Sequence, residues 1–149
     1  MQFSQNGGLF LKTWEGFVDH VYQHPGDVPT IGIGTTFYPG GRHVAFGDPN
    51  ITIDQAVQYV EWYMDNLVIP TLQREVKVPL NQNQVDALSS FTYNEGSGAL
   101  AGSHLLVAIN SNAGQAAITA EFNKWIYVDH KPNDWQIKRR AAEAALYFS

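Results

Sequence analysis

The stretch Trp14-Glu15-Gly16-Phe17-Val18-Asp19-His20-Val21-Tyr22-Gln23-His24-Pro25-Gly26-Asp27-Val28-Pro29-Thr30-Ile31-Gly32-Ile33-Gly34-Thr35 changes character along its length. It begins as the end of a helix and becomes two short extended segments. Between them His24-Pro25-Gly26-Asp27 reads as a turn, with proline and glycine as punctuation and Asp27 able to bond its own backbone. The segment Thr30-Ile31-Gly32-Ile33-Gly34 alternates β-branched residues with glycines, as a strand edge beside a ligand does. Side chains able to transfer protons stand at the start and middle of the stretch, so the whole has the makings of a cleft wall.

Residues 4–16, just upstream, read as a short helix with Leu9, Phe10, Leu11, Trp14 and Phe17 on its apolar side and Gly7-Gly8 loosening its start. Glu15 therefore falls at the helix C-terminus, where the negative pole of the dipole favours the protonated form that a general acid needs. A single helix-end glutamate is more often merely solvated, so position alone does not assign the role. Downstream, residues 37–50 form a longer loop with a hairpin expected across Gly40-Gly41, bordering the cleft.

Thr52-Ile53-Asp54-Gln55 opens a capping box, and Ile53, Ala56, Val57, Val60, Met64, Leu67 and Val68 follow at helical spacing up to Pro70. Asn81-Gln82-Asn83-Gln84 starts a second helix in the same way, with Val85, Leu88 and Phe91 as its face. Segments 103–110, 113–125 and 136–148 complete a helical C-terminal half. The expected fold is α+β and mainly helical: residues 1–51 form an N-terminal lobe with a small antiparallel sheet, 52–70 a connecting helix, and 71–149 a helical C-terminal lobe.

Composition bounds the partners. A chain of 149 residues with 44% hydrophobic residues can bury a core as one domain without staples. It contains no cysteine, which removes disulfides, thiolate catalysis and cysteine-ligated metals. The net charge of -5 argues against nucleic acid as a partner. The N-terminus shows no basic and apolar signal pattern, and no window is long and apolar enough to span a membrane. His20 and His24 are four residues apart but share their stretch with Pro25 and lack the helical glutamate of a zinc motif, so neither a metal nor any other cofactor is expected. No nucleophile elbow or phosphate-binding glycine loop occurs.

The opening stretch resembles the phage-type lysozymes, glycoside hydrolase family 24, in which Glu-Gly is followed by an aspartate after eight intervening residues, a threonine after five more, and a Thr-Ile-Gly-x-Gly strand. Glu15-Gly16 and Thr30-Ile31-Gly32-Ile33-Gly34 fit that spacing, but His24 occupies the aspartate position. The resemblance continues through Phe91-Thr92-Tyr93-Asn94-Glu95-Gly96-Ser97-Gly98, Ala101-Gly102-Ser103-His104-Leu105-Leu106, Phe122-Asn123-Lys124-Trp125 and Arg139-Arg140-Ala141-Ala142-Glu143. It implies a two-lobed lysozyme-like fold and hydrolysis of the β-1,4 bond between N-acetylmuramic acid and N-acetylglucosamine in bacterial peptidoglycan. Glu15 would be the acid and Thr30 would hold the attacking water. Thr36, Tyr93 and Asn94 would line the substrate cleft, while the Arg139-Arg140 pair reads as structural. The resemblance also implies a monomer made in the host cytoplasm and released to the wall by a separate membrane-permeabilising protein.

Three roles are open to His24. A neutral imidazole can itself accept a proton from water, which makes it a substitute base. Alternatively Asp27, three residues along the turn, supplies the missing carboxylate. In the third case the site no longer cuts, and the protein binds glycan or another protein. A transglycosylase using the same acid, with a sugar hydroxyl in place of water, is a further possibility.

Overall fold

The computed structural model describes the whole chain, Met1–Ser149. Helix α1 (Gln5–Glu15) begins where Ser4 Oγ accepts the Gly7 N–H and ends at Gly16, whose N–H bonds Lys12 O. Strands β1 (Val18–Tyr22) and β2 (Thr30–Gly32) pair antiparallel, with Val18 opposite Gly32 and Tyr22 opposite Thr30. The extended run expected to reach Gly34 stops two residues earlier. Gly32 and Gly34 both take positive φ, and the chain doubles back so that Ile31 and Thr35 exchange main-chain hydrogen bonds of 2.9 Å. The following loop carries the expected hairpin: Phe37 bridges His43, and the turn passes through Gly40 and Gly41 at φ 92° and 90°.

The connecting helix differs from expectation at Pro70. Helix α2 (Ile53–Tyr63) starts in a complete Thr52/Gln55 capping box, widens into a π-helical turn over Met64–Val68, and continues as α3 (Ile69–Glu75). Pro70 has no N–H to donate, and the wide turn just before it places the proline at the start of a new helical segment, where that loss is tolerated. The extra residue in the turn also rotates the apolar face. Met64 and Val68 are buried in a core with Leu11, Ile31, Ile33, Val44, Ile51, Ala56 and Val60, whereas Ile69 and Leu72 belong to a second core built on Leu88, Phe91, Leu105 and Phe122. The helix therefore changes lobes between Val68 and Ile69.

Helix α4 (Gln82–Glu95), capped by Asn81 and Gln84 as expected, runs through the second core. Around it lie α5 (Ser97–Ala101), α6 (His104–Asn110), α7 (Gln115–Phe122) and α8 (Asp134–Tyr147). A two-stranded hairpin, β3 (Tyr127–Val128) with β4 (Lys131–Pro132), precedes α8. Neither α5 nor this hairpin is expected from the pattern. Five and two residues are too short to show a period.

The chain start is tied to α4 through Asp86, a buried carboxylate that accepts from Ser4 N at 3.0 Å, from Ser4 Oγ, and from Gln82 Nε2 at 3.0 Å. Gly7 is part of this contact and does not loosen the helix start. A Cβ there would stand 2.7 Å from Phe3 and 2.8 Å from Asp86, while one on Gly8 meets only Phe3, at 4.0 Å. The two adjacent glycines should therefore respond oppositely to alanine. Gly8→Ala gains helix propensity of up to about 1 kcal/mol, a rise in Tm of about 2–4 °C; Gly7→Ala should lower Tm despite the same gain. Thermal unfolding of the two variants checks the pair, and equal shifts would remove the packing role of Gly7.

Candidate active site

Glu15, His24, Asp27, Thr30, Thr36, Tyr93 and Asn94 all line one open cleft of about 530 Å³. Every site residue expected from the sequence is thus in one place, although they come from α1, the β1–β2 turn, β2, the following loop and the end of α4. Trp14, Tyr22, Phe37, Tyr59, Tyr63 and Glu95 join them on the walls.

Glu15 is the most tightly held of these groups. Its Oε1 accepts from Arg139 Nη1 at 2.7 Å, and its Oε2 lies against Gly34, where a Cβ would approach to 2.9 Å. Arg139, only 2% exposed, also donates from Nε to Glu143 Oε1 at 3.1 Å. Arg140 donates to the other Glu143 oxygen, to Asn94 Oδ1, and to Glu95 Oε1 at 2.9 Å. The arginine pair read as structural is indeed buried, but it is not only structural: it connects Glu15, through Glu143, to Asn94 and Glu95 on the same cleft. Burial pushes the Glu95 carboxyl above the usual carboxylate range, against the lowering effect of Arg140.

Three expected residues have part of their bonding capacity committed. Tyr93 donates its hydroxyl to Ile33 O at 2.6 Å and sets its ring edge-on to Tyr63, centroids 5.0 Å apart, so it offers the cleft a ring surface. Its pKa is raised, first by burial and then by Glu15. Asn94 has its carbonyl oxygen occupied by Arg140 and retains its amide N–H groups. Thr30 donates its hydroxyl to Val28 O at 2.9 Å, leaving only acceptor lone pairs. A water at Thr30 must donate to it, which turns the water's own lone pairs elsewhere.

His24 and Asp27 occupy the two ends of one β-turn, closed by the Asp27 N–H on His24 O at 3.0 Å with Pro25 and Gly26 between them, Gly26 at φ 87°. Gln23 Nε2 adds a 2.6 Å bond to Asp27 O. Both side chains are exposed, and the His24 ring stands edge-on to Tyr22 at 5.3 Å. Burial raises the Tyr22 pKa, with further contributions from Glu15 and Asp27, so this ring sits in the field of carboxylates from both α1 and the turn.

Of the cleft and network residues not expected from the sequence, two carry a weak local signal and one carries none. Tyr22 lies in the decisive stretch opposite Thr30, and Glu95 adjoins Tyr93-Asn94, so adjacency could have found both. The Arg139 contact with Glu15 spans 124 positions and has no local signature.

Comparison with known proteins agrees with this arrangement. The phage lysozyme family profile matches residues 12–143, a span holding every cleft and ion-network residue named above. The endolysin of Salmonella phage P22 is 38% identical over 100% of this chain and 99% of its own length. The solved lysozyme of phage P22 superposes with a TM-score of 0.82 at 36% identity, covering 100% of this chain and 99% of that one. The muramidase domain of SpmX from Asticaccaulis excentricus gives 0.84 at 25% identity, covering 99% and 98%. With a glutamate at the end of the first helix, a Thr-Ile-Gly strand across a two-lobed cleft, and full-length relatives above one-third identity, the chain belongs to the phage lysozyme family.

Proposed function

We propose that the protein is a muramidase that hydrolyses the β-1,4 bond between N-acetylmuramic acid and N-acetylglucosamine in bacterial peptidoglycan, with Glu15 as the general acid. The observation that carries this reading is the placement of Glu15: a carboxyl at a helix end, fixed by a buried arginine, in an open cleft of about 530 Å³. Its relatives include an endolysin and a muramidase domain. In the reaction Glu15 gives its proton to the glycosidic oxygen as the C1–O bond breaks, and a water attacks C1 from the opposite face. Thr30 holds that water by accepting a hydrogen bond from one O–H, which stays on the product as its C1 hydroxyl, and His24 takes the proton of the other O–H as the new C–O bond forms. This completes an inverting hydrolysis without a metal or organic cofactor. Asp27, at the other end of the same turn, is the alternative acceptor.

Thr36, the Tyr93 ring and the Asn94 amide are the remaining candidates for glycan contacts. Arg139 positions Glu15 and does not touch substrate. No helix is long and apolar enough to cross a membrane. Access to the wall from the host cytoplasm would then depend on a separate membrane-permeabilising protein, with the enzyme acting as a monomer.

Release of reducing muropeptides from purified peptidoglycan tests the assignments. Glu15→Gln should lower kcat by about 10²–10⁴. If His24 is the base, His24→Ala falls by about 10² or more, and His24→Asp recovers activity. Persistence of activity in His24→Ala, together with its loss in His24→Ala/Asp27→Asn, moves the base to Asp27. A native protein that cuts nothing while His24→Asp cuts would make it a glycan- or protein-binding homologue, and anhydro-sugar ends would make it a transglycosylase. Arg139→Lys keeps the charge but loses the fork geometry, so kcat should drop by about tenfold to a hundredfold with KM little changed. An unaltered kcat would overturn the positioning role.

A further inference from the structure

We infer that Trp135 extends the glycan cleft by one further sugar, acting as an exposed aromatic platform for the ring face of an N-acetylhexosamine. The inference rests on the muramidase reading of the cleft. Trp135, near the start of α8, is 52% exposed, a large apolar area to leave in water.

Its place is fixed from two sides. Asn133 Oδ1 accepts the N–H groups of Trp135 and Gln136, both at 3.0 Å, which anchors the first turn of α8. The indole meets Trp14 edge to face, with centroids 5.2 Å apart and planes at 70°. Trp14 in turn packs on Phe10, centroids 6.2 Å apart, and lines the cleft beside Glu15. Trp135 also precedes Arg139 by one helical turn, on the same face and about 6 Å along the axis, and Arg139 holds Glu15. The exposed indole thus lies outside the cleft lining itself but directly against Trp14, which belongs to that lining next to Glu15.

A β-linked N-acetylhexosamine carries C–H groups on its ring faces and hydroxyls around its rim. Laid on an indole, it removes apolar surface on both sides from water and sets C–H groups against the negative ring face, while the hydroxyls stay hydrated. The edge-to-face contact with Trp14 occupies part of Trp135 and leaves the remainder for such a ring. Trp14 Nε1 is buried with no hydrogen-bond partner.

The test is calorimetric titration of β-1,4-linked N-acetylglucosamine oligomers, two to six units long, into Glu15→Gln protein bearing Trp135, Trp135→Phe or Trp135→Leu. Leucine keeps apolar packing against Trp14 but lacks a flat ring. The six-unit oligomer should bind the leucine variant about three- to tenfold more weakly and recover most of that affinity with phenylalanine, whereas the two-unit oligomer should not discriminate. Equal affinities at every length, or a loss that is uniform across lengths and tracks a lowered Tm, would overturn the platform alone and leave Trp135 a prop between α1 and α8. A dimer in sedimentation that Trp135→Leu dissolves would also overturn it, since a second copy would then cover the ring. If Glu15→Gln binds no oligomer and the native protein releases no muropeptides, the muramidase reading falls and the platform falls with it.

Discussion

Two guanidiniums buried side by side must be neutralised, and the way this protein does so ties its core to its cleft. Arg139 and Arg140 are 2% and 0% exposed, and Glu143, itself fully buried, lies between them. One carboxylate cannot balance two cations, and an uncompensated buried charge costs several kcal/mol. Glu95, at the end of α4, brings the second carboxylate to Arg140, while Glu15, at the end of α1, accepts from Arg139; both line the cleft. Ser90 Oγ, Trp125 O and Gln136 Oε1 take up further hydrogen-bonding capacity, and the Arg140 guanidinium lies 5.0 Å over the Phe91 ring. A network needed for packing therefore also fixes Glu15, because its outer members are the cleft carboxylates.

The cleft exists because the chain builds two cores instead of one. The phase shift between Val68 and Ile69 lets a single helical rod bury one face among Leu11, Ile31 and Val60 and the next among Leu88, Phe91 and Leu105. A regular helix would keep its apolar stripe on one side and draw both lobes to the same face. The π-turn and Pro70 together redirect it. Tyr93 crosses the gap, its hydroxyl on Ile33 of the first lobe and its backbone in α4 of the second.

Most of the fold was legible because its signals are local. Capping boxes at Thr52 and Asn81, the Gly40-Gly41 hairpin and the Pro25-Gly26 turn each depend on residues a few positions apart. What escaped depends on distant partners. Helix propensity stops a pattern at Pro70, yet tertiary demand carries the helix on to Glu75. Gly7 reads as a loose helix start until Asp86, 79 positions later, fills the space beside it. The cleft residues gathered as the family motif implies, but no local pattern shows that Arg139 reaches Glu15 rather than solvent.

The two halves of the site are built to different standards, and this bears on how a histidine can stand at position 24. The Glu15 half is rigid: Glu15 is gripped by Arg139, backed by Gly34 and wired into a buried network, so a substitution there takes from a buried guanidinium one of its two carboxylate partners. The His24–Asp27 half sits on an exposed four-residue turn held by a main-chain bond and by the Gln23 side chain, with no bond made by a side chain at position 24 or 27. Exchanging a carboxylate for an imidazole on that turn breaks no packing and leaves no buried group unsatisfied. The constraint on each position thus follows from what else depends on it: a buried ion network at Glu15, and an exposed turn closed by a main-chain bond at His24.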